Sequence, residues 1–280
     1  MDCMKTSDSA ASITRASKSN LALAFVAMRG QRRRDITTFY AFCRVIDDIV
    51  DDVARDRETK RHELAQWRRS MREPFAGEPV LARAVRELIT RYGITPEMLE
   101  EIIAGVEMDI DIKRYATFDE LRVYCYCVAS AVGLVSIEIF GYRDPRCREY
   151  AISLGLALQL TNIIRDVARD LAADRIYLPA EDLARFHYGE ADLSQRVYDS
   201  RFLELMDFEA ARADAFYAEA ARFLPAADRR AMLPAEIMRS VYQGLLERMR
   251  RDRFRQFEKD YRLGKVEKFS RTTAALLRFI

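Results

Sequence analysis

A chain of 280 residues with 46 basic and 44 acidic side chains carries a net charge of +2, too even a balance for a dedicated nucleic-acid binder. Ten Gly and seven Pro are about half the usual shares of roughly 7% and 5%, which argues against a turn-rich sandwich or barrel and for long helices. With only His62 and His187 in the chain, a His-rich metal centre is excluded and a His-centred triad is disfavoured.

In chain order, residues 1–16 are polar and rich in Ser and Ala, and are expected to be a disordered leader before one domain over residues 17–280. No secretory apolar core precedes the five cysteines, an odd number set mostly in apolar stretches, so a cytoplasmic, reducing setting with small core thiols is expected. Asp35 is read as the cap of a helix running to about Val53, followed by a loop over residues 73–79. Thr95 before Pro96 opens another helix. Thr117 and Glu120 form a capping box for an apolar helix that Gly141 closes. Leu178-Pro179, Leu224-Pro225 and Leu233-Pro234 are read as later stops. The longest charge-free runs, Val123–Ile137 and Tyr150–Ile164, are fifteen residues each. Both fall short of the roughly 18–20 residues that span a bilayer, so they read as buried helices of a soluble protein. Membrane contact is expected to be peripheral at most, at the apolar stretch from Thr272 to Ile280. The whole predicts eight to ten helices in a single-domain all-α bundle, with neither strand alternation nor an internal repeat.

Two of these helices carry acids among apolar residues. On the first, Asp47 and Asp51 stack one turn apart, with Asp48 and Asp52 beside them. Like charges at this spacing destabilise a helix, and burying them costs more unless a cation compensates. On the second, Asn162, Asp166 and Asp170 fall at i, i+4 and i+8. Carboxylate and amide oxygens without His or Cys suit a hard divalent ion, and magnesium shares its shell readily with phosphate oxygens. Two such helices facing each other would make a magnesium–diphosphate site. Arg44 and Arg165 precede the two clusters. Each is open to two readings: a fork for diphosphate oxygens, or an intrahelical ion pair contributing about 0.3–0.5 kcal/mol when exposed. Phe39, Phe42 and Tyr126 are either faces for a carbocation or ordinary core.

Four phrases, Tyr40-Ala41-Phe42-Cys43-Arg44-Val45-Ile46-Asp47-Asp48-Ile49-Val50-Asp51, the run from Tyr124 to Gly133, Gln159-Leu160-Thr161-Asn162-Ile163-Ile164-Arg165-Asp166, and Asp174-Arg175-Ile176-Tyr177-Leu178-Pro179, resemble the squalene/phytoene synthase family. The resemblance spans roughly residues 17–261. It implies an isoprenoid synthase bundle around a central apolar cavity, and head-to-head condensation of two prenyl diphosphates. By the same resemblance Asp47, Asp51, Asn162, Asp166 and Asp170 bind Mg²⁺, with Asp47, Asp51, Asp166, Asp170 and Tyr124 acting in catalysis. Lys18, Asn20, Arg44, Asp48, Gln159, Arg165 and Tyr177 contact substrate. The chain departs from the family's habit at Asn20-Leu21, often Ser-Phe, and at Arg169, where an acid is usual. The stretch Val128–Gly141 looks most like the bacterial hopanoid-pathway branch, which implies two farnesyl diphosphates and presqualene diphosphate as product. NADPH would be required only to continue to squalene, and phytoene or dehydrosqualene synthesis is the alternative. A class I terpene cyclase and a non-catalytic helical scaffold are the rivals from other classes. The cyclase is disfavoured because Asn162-x-x-x-Asp166-x-x-x-Asp170 lacks the Ser and Glu of that class's second motif.

Overall fold

The structure, a computed structural model, describes residues 27–277. The expected leader over residues 1–16 and the candidate contacts Lys18 and Asn20 lie outside the described residues. Within them the chain is all-α, and the only extended pairing recorded is a single bridge between Arg114 and Ile176. The helices are α1 (Gly30–Asp51), α2 (Arg57–Arg72), α3 (Ala82–Tyr92), α4 (Pro96–Asp111), α5 (Phe118–Cys125), α6 (Ala131–Phe140) and α7 (Cys147–Ala172). Two short turns, α8 (Ala180–Arg185) and α9 (Glu190–Ser194), lead to α10 (Ser200–Phe223), α11 (Leu233–Arg251) and α12 (Lys265–Leu277). Leaving aside α8 and α9, ten helices remain, in line with the expected number.

The caps act as the sequence suggests at α4 and α5. Thr95 accepts from the Met98 amide, with Pro96 opening the helix, and Thr117 accepts from the Glu120 amide. Gly141 closes α6 in the left-handed conformation. Three expectations fail. Helix α1 opens at Gly30 and not after Asp35, because the Asp35 carboxylate is spent on tertiary partners. It is buried and accepts from Arg91 at 2.7 Å, Tyr92 at 2.6 Å and Gln31 at 2.8 Å, tying α1 to α3. The helix ends at Asp51, which leaves Val53 fully in solvent. Pro234 starts α11, since a proline in the first turn forfeits no helical bond, whereas Pro225 does follow the end of α10.

The apolar run after Thr117 is not one regular helix either. Residues Tyr126–Ser130 form a π-turn between α5 and α6. Two glycines admit this wider turn. A Cβ on Gly105 of α4 would lie 2.6 Å from the Cys127 Cβ, and one on Gly155 of α7 would lie 2.5 Å from the Ser130 Cα. The rod Phe118–Phe140 is also, contrary to expectation, long and apolar enough by composition to cross a bilayer, because charge-free runs undercount spans that tolerate a charged residue. In the fold it packs between α4 and α7, and half of its most apolar stretch is buried. Helix α7 is the central element, with its most extensive contact to α10 and further contacts to α6, the π-turn and α11. Cys43, Cys125 and Cys147 are buried free thiols, as expected of core cysteines.

Candidate functional site

The helices bearing the two acidic clusters face each other across a polar cleft of about 260 Å³. From α1 it receives Arg44, Asp47 and Asp51, from α5 Tyr124, and from α7 Gln159, Asn162, Arg165, Asp166 and Asp170. Tyr177 comes from the loop after α7. That loop is held by the Arg114–Ile176 bridge, in which the Ile176 amide donates to Lys113 O at 2.9 Å, and by the Arg175 amide donating to Asp170 O at 2.8 Å. Of the charged and polar site candidates within the described residues, only Asp48 stands outside the cleft. It lies a quarter-turn round α1 from Asp47, is exposed, and pairs with Arg44 at 2.5 Å. The ion-pair reading of the two arginines holds, Arg44 with Asp48 and Arg165 with Asp166 on their own helices, and both residues also line the cleft.

The charges do not balance at ease. Burial, and then the charge of Asp51, pushes the Asp47 carboxyl up to about 7. Burial, and then Asp166, pushes Asp170 up to about 7 as well. Both carboxylates stay fully ionised near neutral pH only if positive charge joins them. The Asn162 side-chain oxygen is buried without a hydrogen-bond partner while its amide nitrogen donates to Gln159 at 3.3 Å. An orphaned acceptor beside carboxylates fits a hard oxygen-seeking cation such as Mg²⁺. The opposite wall offers the complement: Arg175 donates to Asp51 at 3.1 Å, and its buried Nε has no acceptor, a vacancy suited to an anion.

Residues that the sequence reading gave no role complete the cleft: Asp109 from α4, Arg169 and Arg175. Asp109 stands in the run Met108-Asp109-Ile110, but its helix also carries Glu97, Glu100, Glu101, Glu107 and Asp111, so the sequence does not single it out. It accepts from Tyr124 at 2.9 Å and from Tyr177 at 2.7 Å. The two rings stack at 5.1 Å with Tyr115 against both. This stack is the aromatic wall of the site. Phe39 and Phe42, the candidate cation faces, are instead core, Phe42 meeting Trp67 edge-on at 5.2 Å, and Tyr126 lines neither cavity described here.

The cleft opens onto a second, apolar cavity of about 200 Å³, with Val128, Gln159 and Asn162 bordering both. Val132, Ile137, Phe140, Tyr150, Leu154 and Met238 line its depth. One wall runs from Val128 to Phe140 and the other from Asn162 back to Tyr150, twelve residue steps each, or about 18 Å of helix. A charged, cation-seeking mouth over a greasy tunnel suits a molecule with an anionic head and a hydrocarbon tail.

Comparison with known proteins agrees with this geometry. The sequence model of the squalene/phytoene synthase family matches residues 14–270. A phytoene synthase of Arthrospira platensis is 36% identical over 241 residues, covering 81% of this chain and 78% of its own. A 15-cis-phytoene synthase of Synechococcus elongatus is 32% identical, covering 91% and 87%. Among solved structures, a dehydrosqualene synthase superposes with a TM-score of 0.86 at 23% identity, covering 98% of this chain and 96% of that one. The squalene synthase HpnC from Alicyclobacillus acidocaldarius does so at 0.77 with 27% identity, covering 89% and 95%.

Proposed function

Since the chain belongs to the squalene/phytoene synthase family, whose members join prenyl diphosphates head to head, we propose that it condenses two farnesyl diphosphates to presqualene diphosphate and releases one diphosphate. The observation that carries the reading is a charged cleft opening onto an apolar cavity at Val128, Gln159 and Asn162, and the choice of C15 is supported by the likeness to the squalene synthase HpnC at 27% identity. Walls of about 18 Å leave room for an extended C15 chain, and Phe140 and Tyr150 lie at their far ends.

Asp47 and Asp51 on one side, with Asn162, Asp166 and Asp170 on the other, hold Mg²⁺ together with the diphosphate. Held there, Mg²⁺ would supply positive charge beside the departing group and so lower the cost of ionising the allylic C–O bond. Arg44, Arg165 and the free Nε of Arg175 take diphosphate oxygens. Gln159 holds Asn162 in place through its amide. The stacked Tyr124 and Tyr177 rings present electron-rich faces to the allylic cation, and the apolar walls keep water from it. No NADPH is consumed if the reaction ends at the cyclopropane.

A second reading, phytoene from two C20 diphosphates, is favoured by the names of relatives 36% and 32% identical. Purified protein given Mg²⁺ and either C15 or C20 diphosphate, with and without NADPH, separates the two. The expected product is a cyclopropyl C30 diphosphate from the C15 substrate, indifferent to NADPH. A C40 hydrocarbon made from the C20 substrate alone would replace this reading with the phytoene one, and an NADPH-dependent C30 hydrocarbon would replace it with full squalene synthesis.

A further inference from the structure

The Asp109 carboxylate lines the polar cleft beside the stacked Tyr124 and Tyr177, and both hydroxyls reach it. An ionised carboxylate has no proton to give, so the contacts of 2.9 Å and 2.7 Å direct both hydroxyl protons, from Tyr124 and from Tyr177, to Asp109 ahead of the longer 3.4 Å contact between the two hydroxyls. Each phenol oxygen is then left with lone pairs only. In this state neither tyrosine can donate to a departing diphosphate, and either can accept a proton only if its own moves on to Asp109. Tyr124 is the one placed for this. It sits one helical turn before Val128, the residue that borders both the diphosphate cleft and the hydrocarbon cavity. Both tyrosines border the polar cleft and neither lines the apolar cavity, so the choice of Tyr124 rests on the place of Val128.

We propose that Asp109 is the terminal acceptor of the proton lost when the cyclopropane closes, reached through the Tyr124 hydroxyl. The assignment rests on the head-to-head reading above, and holds for C15 or C20 chains alike. After the donor substrate ionises, the C2=C3 electron pair of the acceptor substrate bonds to the donor's C1 and leaves a cation at C3. One C–H bond at that former C1 then breaks, and its electron pair forms the bond to C3 that closes the ring. The proton goes to a lone pair on Tyr124 Oη as the phenolic proton passes to Asp109. The cation and the carboxylate are both neutralised, and no oxidant or further reactant is needed. Burial keeps the Asp109 carboxyl above the ordinary carboxylate range, against the opposing pull of the tyrosine hydroxyls and Arg175, so it is a better base than an exposed aspartate. Asp109 acts through Tyr124, which makes it a positioning residue for the reaction.

The test uses the full chain, Mg²⁺, and whichever prenyl diphosphate the wild type condenses, and measures cyclopropyl product, counted together with any hydrocarbon formed from it, per diphosphate released. Asp109→Asn keeps the shape but removes the acceptor, and Tyr124→Phe removes one oxygen of the relay. Both should still ionise substrate, with cyclopropyl product per diphosphate falling by about tenfold or more as the cation is diverted to prenyl alcohols and uncyclised adducts. If that ratio stays within about twofold of the wild type in a folded variant, whatever the rate, the relay is wrong and the released diphosphate is the base. Should Asp109→Asn fail to fold by circular dichroism, Tyr124→Phe decides alone. A wild type that condenses neither chain length overturns the head-to-head reading itself, and the relay with it.

Discussion

Asp47 and Asp170 are acids that the fold holds at a disadvantage until a cation arrives. Each is pushed from 3.8 up to about 7 by burial and a carboxylate one turn away. An unfolded chain releases these protons near 3.8, so the metal-free fold binds more protons than the unfolded chain between 3.8 and about 7. Stability in EDTA should therefore fall as pH rises through that window, and added Mg²⁺ should restore it, as thermal melts at mildly acidic and mildly alkaline pH will show. Asp47→Ala should leave the metal-free melting temperature at alkaline pH unchanged or raised, flatten the pH trend, shrink the gain from Mg²⁺ and abolish turnover. A variant that keeps more than about a tenth of its rate (about 1.4 kcal/mol in barrier) has been given the wrong role. At this scale the sequence reveals what neighbours along a helix reveal. Asp47 and Asp51, and Asn162, Asp166 and Asp170, are legible because one turn of helix brings them together. Asp109 escaped because its partners Tyr124 and Tyr177 stand 15 and 68 residues away.

Helix ends were legible where a side chain caps its own backbone, as at Thr95 and Thr117, since those bonds are local. They were misread where a capping residue had a better partner far off, as Asp35 has in Arg91 and Tyr92. The π-turn at Tyr126–Ser130 belongs to neither kind, because what permits it lies on two other helices, at Gly105 and Gly155. Widening the turn alters the facing of the residues that follow, and Val128 and Val132, on either side of its end, both line the apolar cavity. Gly155→Ala should thus do more than fill space. With the new methyl 2.5 Å from the Ser130 Cα, backbone must move, at a cost of about 1–3 kcal/mol. The check is a lowered midpoint of chemical denaturation, with poorer substrate binding, and an unchanged midpoint would mean the π-turn and α7 are not packed this tightly.

For the molecule as a whole, the decisive feature is that a charged cleft and a greasy cavity meet at Val128, Gln159 and Asn162. The depth of the cavity is then a specificity element. Phe140→Ala should open its far end and raise the preference for C20 over C15 diphosphate by about tenfold in kcat/KM, in keeping with the 1–3 kcal/mol by which an apolar pocket discriminates one group. Competition between the two substrates measures this, and an unchanged ratio would show that Phe140 does not set the depth. The sequence by itself determined the all-α class, the two acid-bearing helices and the kind of ion they suit, because helical periodicity and side-chain chemistry act over one or two turns. Only the tertiary structure decided that Asp48 turns away, that Phe39 and Phe42 are core, that Asp109, Arg175 and Tyr115 join the site, and how deep the cavity runs. Those depend on which helices pack together and how closely, and that follows from contacts between residues far apart in the chain.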